Sequence, residues 1–161
     1  MNSKQTIGIV GCGTMGTGIA IVAARAGFKT RIYDLKPEPL ENARKQAAAF
    51  LKKSVERGKL AEGEDVLIMS QFLTTTNIQN FSDCDLVIEA VFEDLKVKHA
   101  IFKQLNEVCP THTIFASNTS TISITEIAGG TGRDDRFVGM HFCLPAQLMK
   151  LVEMSPGMNT S

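Results

Sequence analysis

Between residues 6 and 26 the chain passes from a β-branched apolar run, Thr6-Ile7-Gly8-Ile9-Val10, through Gly11-Cys12-Gly13-Thr14-Met15-Gly16, into small and apolar residues that end at Ala26. That order predicts a strand, a tight turn and a helix lying close on a sheet. The three glycines of the G-x-G-x-x-G spacing answer separate requirements. Gly11 allows the turn, Gly13 lets the backbone approach a pyrophosphate, and Gly16 permits close packing of helix on strand. Free N–H groups at the helix start, from Gly13 through Thr14 and Met15, then face the anion. Taken alone the glycine pattern is a weak signal, because an ordinary structural turn can share it.

The adjoining strand strengthens it. Gly27 ends the helix, and Lys29-Thr30-Arg31-Ile32-Tyr33 alternates into a second strand that stops at Asp34, twenty-three residues after Gly11. A carboxylate at that place accepts from both ribose hydroxyls and repels a 2′-phosphate, which favours NAD over NADP, although Arg31 and Lys36 stand nearby. A strand-end or helix-capping carboxylate is the plainer reading of Asp34, and FAD is the other nucleotide such a turn can hold.

Pro37 and Pro39 open a long helix through about Arg57, with Leu40, Ala43, Ala47, Phe50, Leu51 and Val55 on one face and basic residues on the other. A polar connection containing Gly58 and Gly63 leads to a strand over residues 71–75. Asp85 to Ala90 is a near-continuous apolar run, the pattern of a parallel strand covered on both faces. A helix from Leu95 to Val108, a strand over 113–116, a short helix over 122–128, a strand over 136–142 and a further strand over 149–154 complete the series. Strands alternating with helices predict an α/β fold, a Rossmann-like, doubly wound, mainly parallel sheet with helices on both faces. The expected domain is residues 1–154, with 155–161 as a linker or the start of a further domain.

Composition limits the function. One core fits 161 residues, and 43% hydrophobic with 21% charged residues is ordinary for a folded globular chain. Seventeen basic residues against seventeen acidic ones remove the electrostatic case for nucleic acid. No apolar run reaches the roughly eighteen residues that a membrane span needs, and no targeting segment is evident in Met1–Gln5. Four cysteines without C-x-x-C spacing, and three histidines, predict reduced thiols in a cytoplasmic setting and no metal site.

Three downstream segments make the expectation more specific: Val87-Ile88-Glu89-Ala90-Val91-Phe92-Glu93-Asp94-Leu95-Lys96-Val97-Lys98, then Ala116-Ser117-Asn118-Thr119-Ser120, then Gly139-Met140-His141-Phe142 leading through Pro145 to Met149-Lys150-Leu151-Val152-Glu153. With the glycine turn they resemble, in order and spacing, the N-terminal NAD-binding domain of the L-3-hydroxyacyl-CoA dehydrogenase family, over essentially the whole chain. The resemblance implies hydride transfer between NAD and C3 of an L-3-hydroxyacyl-CoA. It implies His141 as the base that takes the hydroxyl proton, a task suited to an imidazole near neutral pH. Glu153 is then the carboxylate that orients His141, and Ser120 the hydroxyl that hydrogen-bonds the reacting oxygen. It also implies that Asn118 shapes the nicotinamide side of the pocket and that Glu93 and Lys98 contact the cofactor, with Met15 in the phosphate turn. Lys53 and Arg57, on the basic side of the second helix, are candidates for the phosphates of CoA, against the reading of that side as an ordinary solvated face. Cys143 reads as a small buried hydrophobe rather than a nucleophile.

One position departs from the resemblance: the family usually has asparagine three residues after the histidine, and here Leu144 stands in His141-Phe142-Cys143-Leu144-Pro145. Leu144 can neither donate nor accept a hydrogen bond, which implies altered substrate selectivity. The family's second, helical domain, which closes over acyl-CoA and supplies a homodimer interface, has no counterpart in these residues. A chain lacking it is expected to bind NAD and to turn over poorly. Two other functions remain open on the same scaffold: a dehydrogenase of a 3-hydroxy acid without CoA, and a non-catalytic NAD-binding module.

Overall fold

A computed structural model describes residues 5–161; the leading residues 1–4, where no targeting segment is expected, lie outside the described residues. Thr6–Val10 forms β1, and all five of its residues are buried. A strand so apolar needs cover on both faces, and the chain supplies it with helices on either side of a sheet. Thr14–Arg25 forms α1, Lys29–Tyr33 β2, Pro37–Glu56 α2, Glu64–Ser70 α3 and Phe72–Thr75 β3. Leu86–Glu89 then forms β4, Leu95–Val108 α4, Ile114–Ser117 β5, Ile124–Gly129 α5, Phe137–Phe142 β6 and Val152–Pro156 β7. The strand order is β3-β2-β1-β4-β5-β6-β7. Every pairing is parallel as far as β6, and β7 runs antiparallel to it. This is the doubly wound sheet expected from the sequence.

Ile19, Ala20, Ile32, Leu40 and Ala47 pack in one core, with α1 and α2, and Phe81, Phe102, Phe115, Ile127 and Phe137 in a second, with α4 and α5. Between β1 and β4 the strand order reverses. The carboxyl ends of those two strands therefore diverge into opposite layers and leave a crevice, the place where open α/β sheets bind ligands.

Two features differ from the sequence expectation. The polar connection after α2 contains a seven-residue helix, α3, whose start at Gly63 takes a left-handed φ of 81°. Its Val66 and Leu67 are exposed while Ile68 and Met69 pack half-buried against the core, so a helix this short carries no repeating apolar stripe. The last strand spans Val152–Pro156 rather than 149–154, because its register is set by β6, with His141 opposite Glu153 and Val138 opposite Pro156. Beyond it, Ser161 N donates to Asp135 O at 3.0 Å and Thr160 Oγ1 to Phe137 O at 2.6 Å.

Helix α4 is held at both ends. The Asp94 side chain accepts from Val97 N at its start. At its far end the buried Arg133 fans over the last carbonyls, donating to Pro110 O at 2.7 Å, Asn106 O at 3.3 Å and Cys109 O at 3.4 Å, and to Asn106 Oδ1 at 2.7 Å. Its guanidinium lies 4.4 Å from the centre of the Phe115 ring. Those carbonyls have no partner within the helix, so one planar cation satisfies several at once. Arg133→Met is expected to lower stability by about 3 kcal/mol, as for loss of buried hydrogen bonds to a charged group. Urea denaturation checks it, and an unchanged midpoint would show that the clamp contributes nothing.

Candidate active site at the sheet's carboxyl edge

The turn from β1 into α1 opens on the crevice. Gly11 takes a φ of 92°, and a Cβ there would lie 2.7 Å from the Ala90 carbonyl oxygen of the neighbouring strand end. At Gly16 a Cβ would collide with the Gly11 carbonyl, so only glycine lets α1 sit this low on the sheet. A Cβ at Gly13 meets nothing within 4 Å; the space beside the exposed turn is open. No side chain caps α1, and Thr14 and Met15 stand in its first turn. An uncapped helix start facing open space is a seat for an anion.

Asp34 comes directly after β2 and bends back to the turn. Its Oδ2 accepts from Cys12 N and from Cys12 Sγ, both at 3.2 Å. The thiol is pushed up to about 12 by burial and by its hydrogen bond to Asp34, so it is a donor and not a nucleophile. Leu35 and Phe92, beyond the carboxyl ends of β2 and β4, are 80% and 85% exposed. Sequence reasoning missed both; large apolar side chains just past strand ends on the ligand-binding edge were the available signal. Open space at Gly13, uncapped amides and a carboxylate on the next strand fit a dinucleotide.

Across the crevice three charged side chains interlock. Glu89, wholly buried at the end of β4, accepts from Lys98 Nζ and Val91 N at 2.7 Å each and from Ser117 Oγ at 2.6 Å. Lys98, 1% exposed, lies 3.2 Å from Glu93 Oε2 as well. The structure therefore buries Lys98 between two carboxylates, and within this network it reaches the crevice through Glu93. Glu93 Oε1 accepts from Ser120 N at 3.0 Å, from Thr121 N at 3.2 Å and from the Thr119 hydroxyl. Burial would raise the Glu93 carboxyl, but hydrogen bonds from Thr119 and Lys98 and the lysine charge hold it at about 2. Among the described residues no buried side-chain nitrogen or oxygen lacks a partner.

Ser120 is exposed beside this network, and Asn118 joins it to the next strand. Asn118 Oδ1 accepts from Phe142 N at 2.8 Å. His141, the residue before Phe142, stands opposite Glu153 across β6 and β7, and its Nδ1 lies 2.7 Å from Glu153 Oε2. An ionised carboxylate can only accept, so Nδ1 carries the proton and Nε2 of the neutral ring keeps a free lone pair. The sheet thus brings His141, Glu153, Asn118, Ser120 and Glu93 to one region of its carboxyl edge.

Lys53 and Arg57 are placed elsewhere. With Arg25, Lys59 and Lys150 they line a groove of about 720 Å³ between the α1–α2 layer and residues 146–150, floored in part by Phe50. The groove is reached from His141 along the segment after β6. Leu144 in that segment is exposed. Among the described residues no cluster of side chains is suited to a metal ion, and no helix is long and apolar enough to cross a membrane.

The sheet order, the glycine turn and Asp34 define a dinucleotide-binding Rossmann domain. Residues 6–161 match the family model described as 3-hydroxyacyl-CoA dehydrogenase, NAD binding domain, and the chain belongs to that family. It is 44% identical over 161 residues to a probable 3-hydroxybutyryl-CoA dehydrogenase of Bacillus subtilis (strain 168), covering all of this chain and 56% of the relative. It is also 44% identical over 161 residues to a 3-hydroxyadipyl-CoA dehydrogenase of Escherichia coli (strain K12), covering 34% of that protein. A crystal structure of 3-hydroxybutyryl-CoA dehydrogenase from Escherichia coli K12 superposes with a TM-score of 0.95 at 43% identity, over 99% of this chain and 34% of the other. The chain thus spans between about one third and somewhat over half of the lengths of these relatives.

Because Glu93 is held below its ordinary value of 4.5, the stability it contributes is complete above that pH and is lost as pH falls toward 2. Thermal melts from about pH 5 to pH 2 are expected to fall less steeply for Glu93→Gln than for the unaltered chain. Parallel curves would mean that the carboxylate is not ionised preferentially in the fold.

Proposed function

We propose that this chain is the cofactor-binding part of an enzyme that interconverts an L-3-hydroxyacyl-CoA and its 3-keto form. The observation that carries the reading is the 2.7 Å contact of His141 with Glu153 on the sheet edge that also holds the glycine turn. The names of the relatives, hydroxybutyryl-CoA and hydroxyadipyl-CoA dehydrogenases, support a short 3-hydroxyacyl thioester as substrate.

The backbone at Gly11, Gly13, Thr14, Met15 and Gly16 would hold the pyrophosphate of NAD, and Asp34 the adenosine ribose. When bound, NAD supplies the hydride acceptor. In this reading His141 Nε2 removes the hydroxyl proton while C3 becomes a carbonyl, and Glu153 stabilises the imidazolium through Nδ1. Ser120 donates to the substrate oxygen, and Asn118, fixed by Phe142 N, borders the nicotinamide side. Glu93 keeps the Ser120 loop in place and adjoins the cofactor; Lys98 acts behind it. Lys53 and Arg57 would meet the phosphates of CoA in the basic groove. Leu144, exposed three residues after His141, would offer the substrate an apolar side chain where the family usually has an amide.

The same reading includes a cytoplasmic enzyme, consistent with four free cysteines, three of them buried. It also includes a homodimer formed through a helical domain that covers the exposed Leu148, Leu151 and Met154.

The test is NADH formation from NAD and L-3-hydroxybutyryl-CoA, with calorimetric titration of NAD. His141→Ala is expected to leave NAD binding intact and to reduce turnover about a thousandfold. Tight NAD binding with no turnover of the thioester by a longer protein containing this chain would favour the non-catalytic module instead, and turnover of free 3-hydroxy acids the enzyme without CoA. In Lys53→Glu/Arg57→Glu the KM for the thioester should rise about tenfold, as expected of two screened phosphate contacts, with NAD affinity unchanged. An unaltered KM would assign the groove to something other than CoA.

A further inference from the structure

Glu89 is the most deeply buried ionised group in the chain's interlocked trio, and the chemistry proposed above gives it no task. It lies at 0% exposure, and its polar contacts are Lys98, Ser117 and the Val91 amide. A carboxylate and an ammonium withdrawn from water together cost more than an apolar pair of the same volume unless something specific requires them. The connectivity shows what they reach. Lys98 Nζ joins Glu89 Oε1 at 2.7 Å to Glu93 Oε2 at 3.2 Å, which leaves Glu93 Oε1 to gather Ser120 N at 3.0 Å and Thr121 N at 3.2 Å. On its other oxygen Glu89 takes the Ser117 hydroxyl, and that same hydroxyl accepts from Thr119 N at 3.2 Å. Its backbone carbonyl accepts from Asn118 N at 2.8 Å. Residues 117–121 are thus gripped from two sides by one carboxylate that is out of reach of any ligand.

We propose that Glu89 is a positioning residue: through Lys98 and Glu93 on one side and Ser117 on the other, it fixes the loop that presents Ser120 at the sheet edge. Without Lys98 drawn toward Glu89, the ammonium is free to move outward with Glu93, and Glu93 Oε1 no longer meets both loop amides at once. The Thr119 hydroxyl, which also accepts from Ile122 N at 3.0 Å, holds a turn within the loop. The significance for turnover rests on the proposed role of Ser120, whereas the linkage itself does not.

The experiment measures backbone hydrogen exchange at Ser120 and Thr121 against β1 amides such as Ile9, which report global opening, in Glu89→Gln, Lys98→Met and the double variant. Glu89→Gln is expected to speed exchange at Ser120 and Thr121 by about tenfold beyond any change at Ile9. In the Lys98→Met background the same change should add little at Thr121, because the path through Lys98 is already cut. Should Glu89→Gln not fold, Glu89→Asp keeps the charge and withdraws it from Lys98 by one methylene, and the comparison is made with it. Exchange at the two loop amides that merely tracks Ile9 overturns the proposal. Kinetics on the longest active form separate the two readings: a fall in kcat of about tenfold with both KM values unchanged is the mark of a misplaced hydroxyl. Loosened amides with unchanged kcat keep the linkage and remove Ser120 from the chemistry.

Discussion

The seating of α1 on the sheet governs the rest of the site. Gly16 lies so near the Gly11 carbonyl that no side chain fits between them, and this contact sets the height at which the helix leaves the turn. A helix displaced by one methyl group would lift its first amides away from the crevice between β1 and β4. It would also carry Cys12 off Asp34, since the turn and the carboxylate are joined by the Cys12 amide and thiol. The uncapped helix start and the Asp34 carboxylate are therefore one connected unit rather than two features that happen to be adjacent.

The opposite wall is built on different physics. Where the glycine turn works by leaving side chains out, the β4 and β5 ends work by filling the space with charges that satisfy one another. Glu89, Lys98, Glu93, Ser117 and Thr119 are joined in one network that also takes in the amides of Val91, Ser120 and Thr121, and a buried polar network is rigid when its members are satisfied. From there Asn118 passes the constraint to Phe142, and the β6–β7 register passes it to His141 and Glu153.

Much of this was legible in the residues. The apolar runs of β1 and β4, the glycine turn and Asp34 pointed to the sheet and its ligand edge, because burial on both faces leaves a periodic trace. Helix α3, seven residues long, leaves none, since Val66 and Leu67 face solvent and only Ile68 and Met69 pack on the core, and the bounds of β7 are illegible because every residue of that edge strand is exposed. His141 and Glu153 were paired through the family resemblance; in the fold their contact arises from register, which a sequence does not display. The burial of Lys98 was also hidden. Lysine ordinarily marks a surface, and only the nearness of two carboxylates from separate segments lets it go inside.

Helix α4 has ends of opposite character. At the crevice its start is held by Asp94 and by the two carboxylates around Lys98, of which Glu93 stands at the rim and keeps its charge down to about 2. At the far side its last carbonyls rest on the guanidinium of Arg133, which stays charged in acid. Loss of the Glu93 charge in strong acid therefore acts on this helix from one end, the one at the crevice. The Arg133 clamp and the Phe115 ring beneath it lie at the other end and make no contact with that carboxylate.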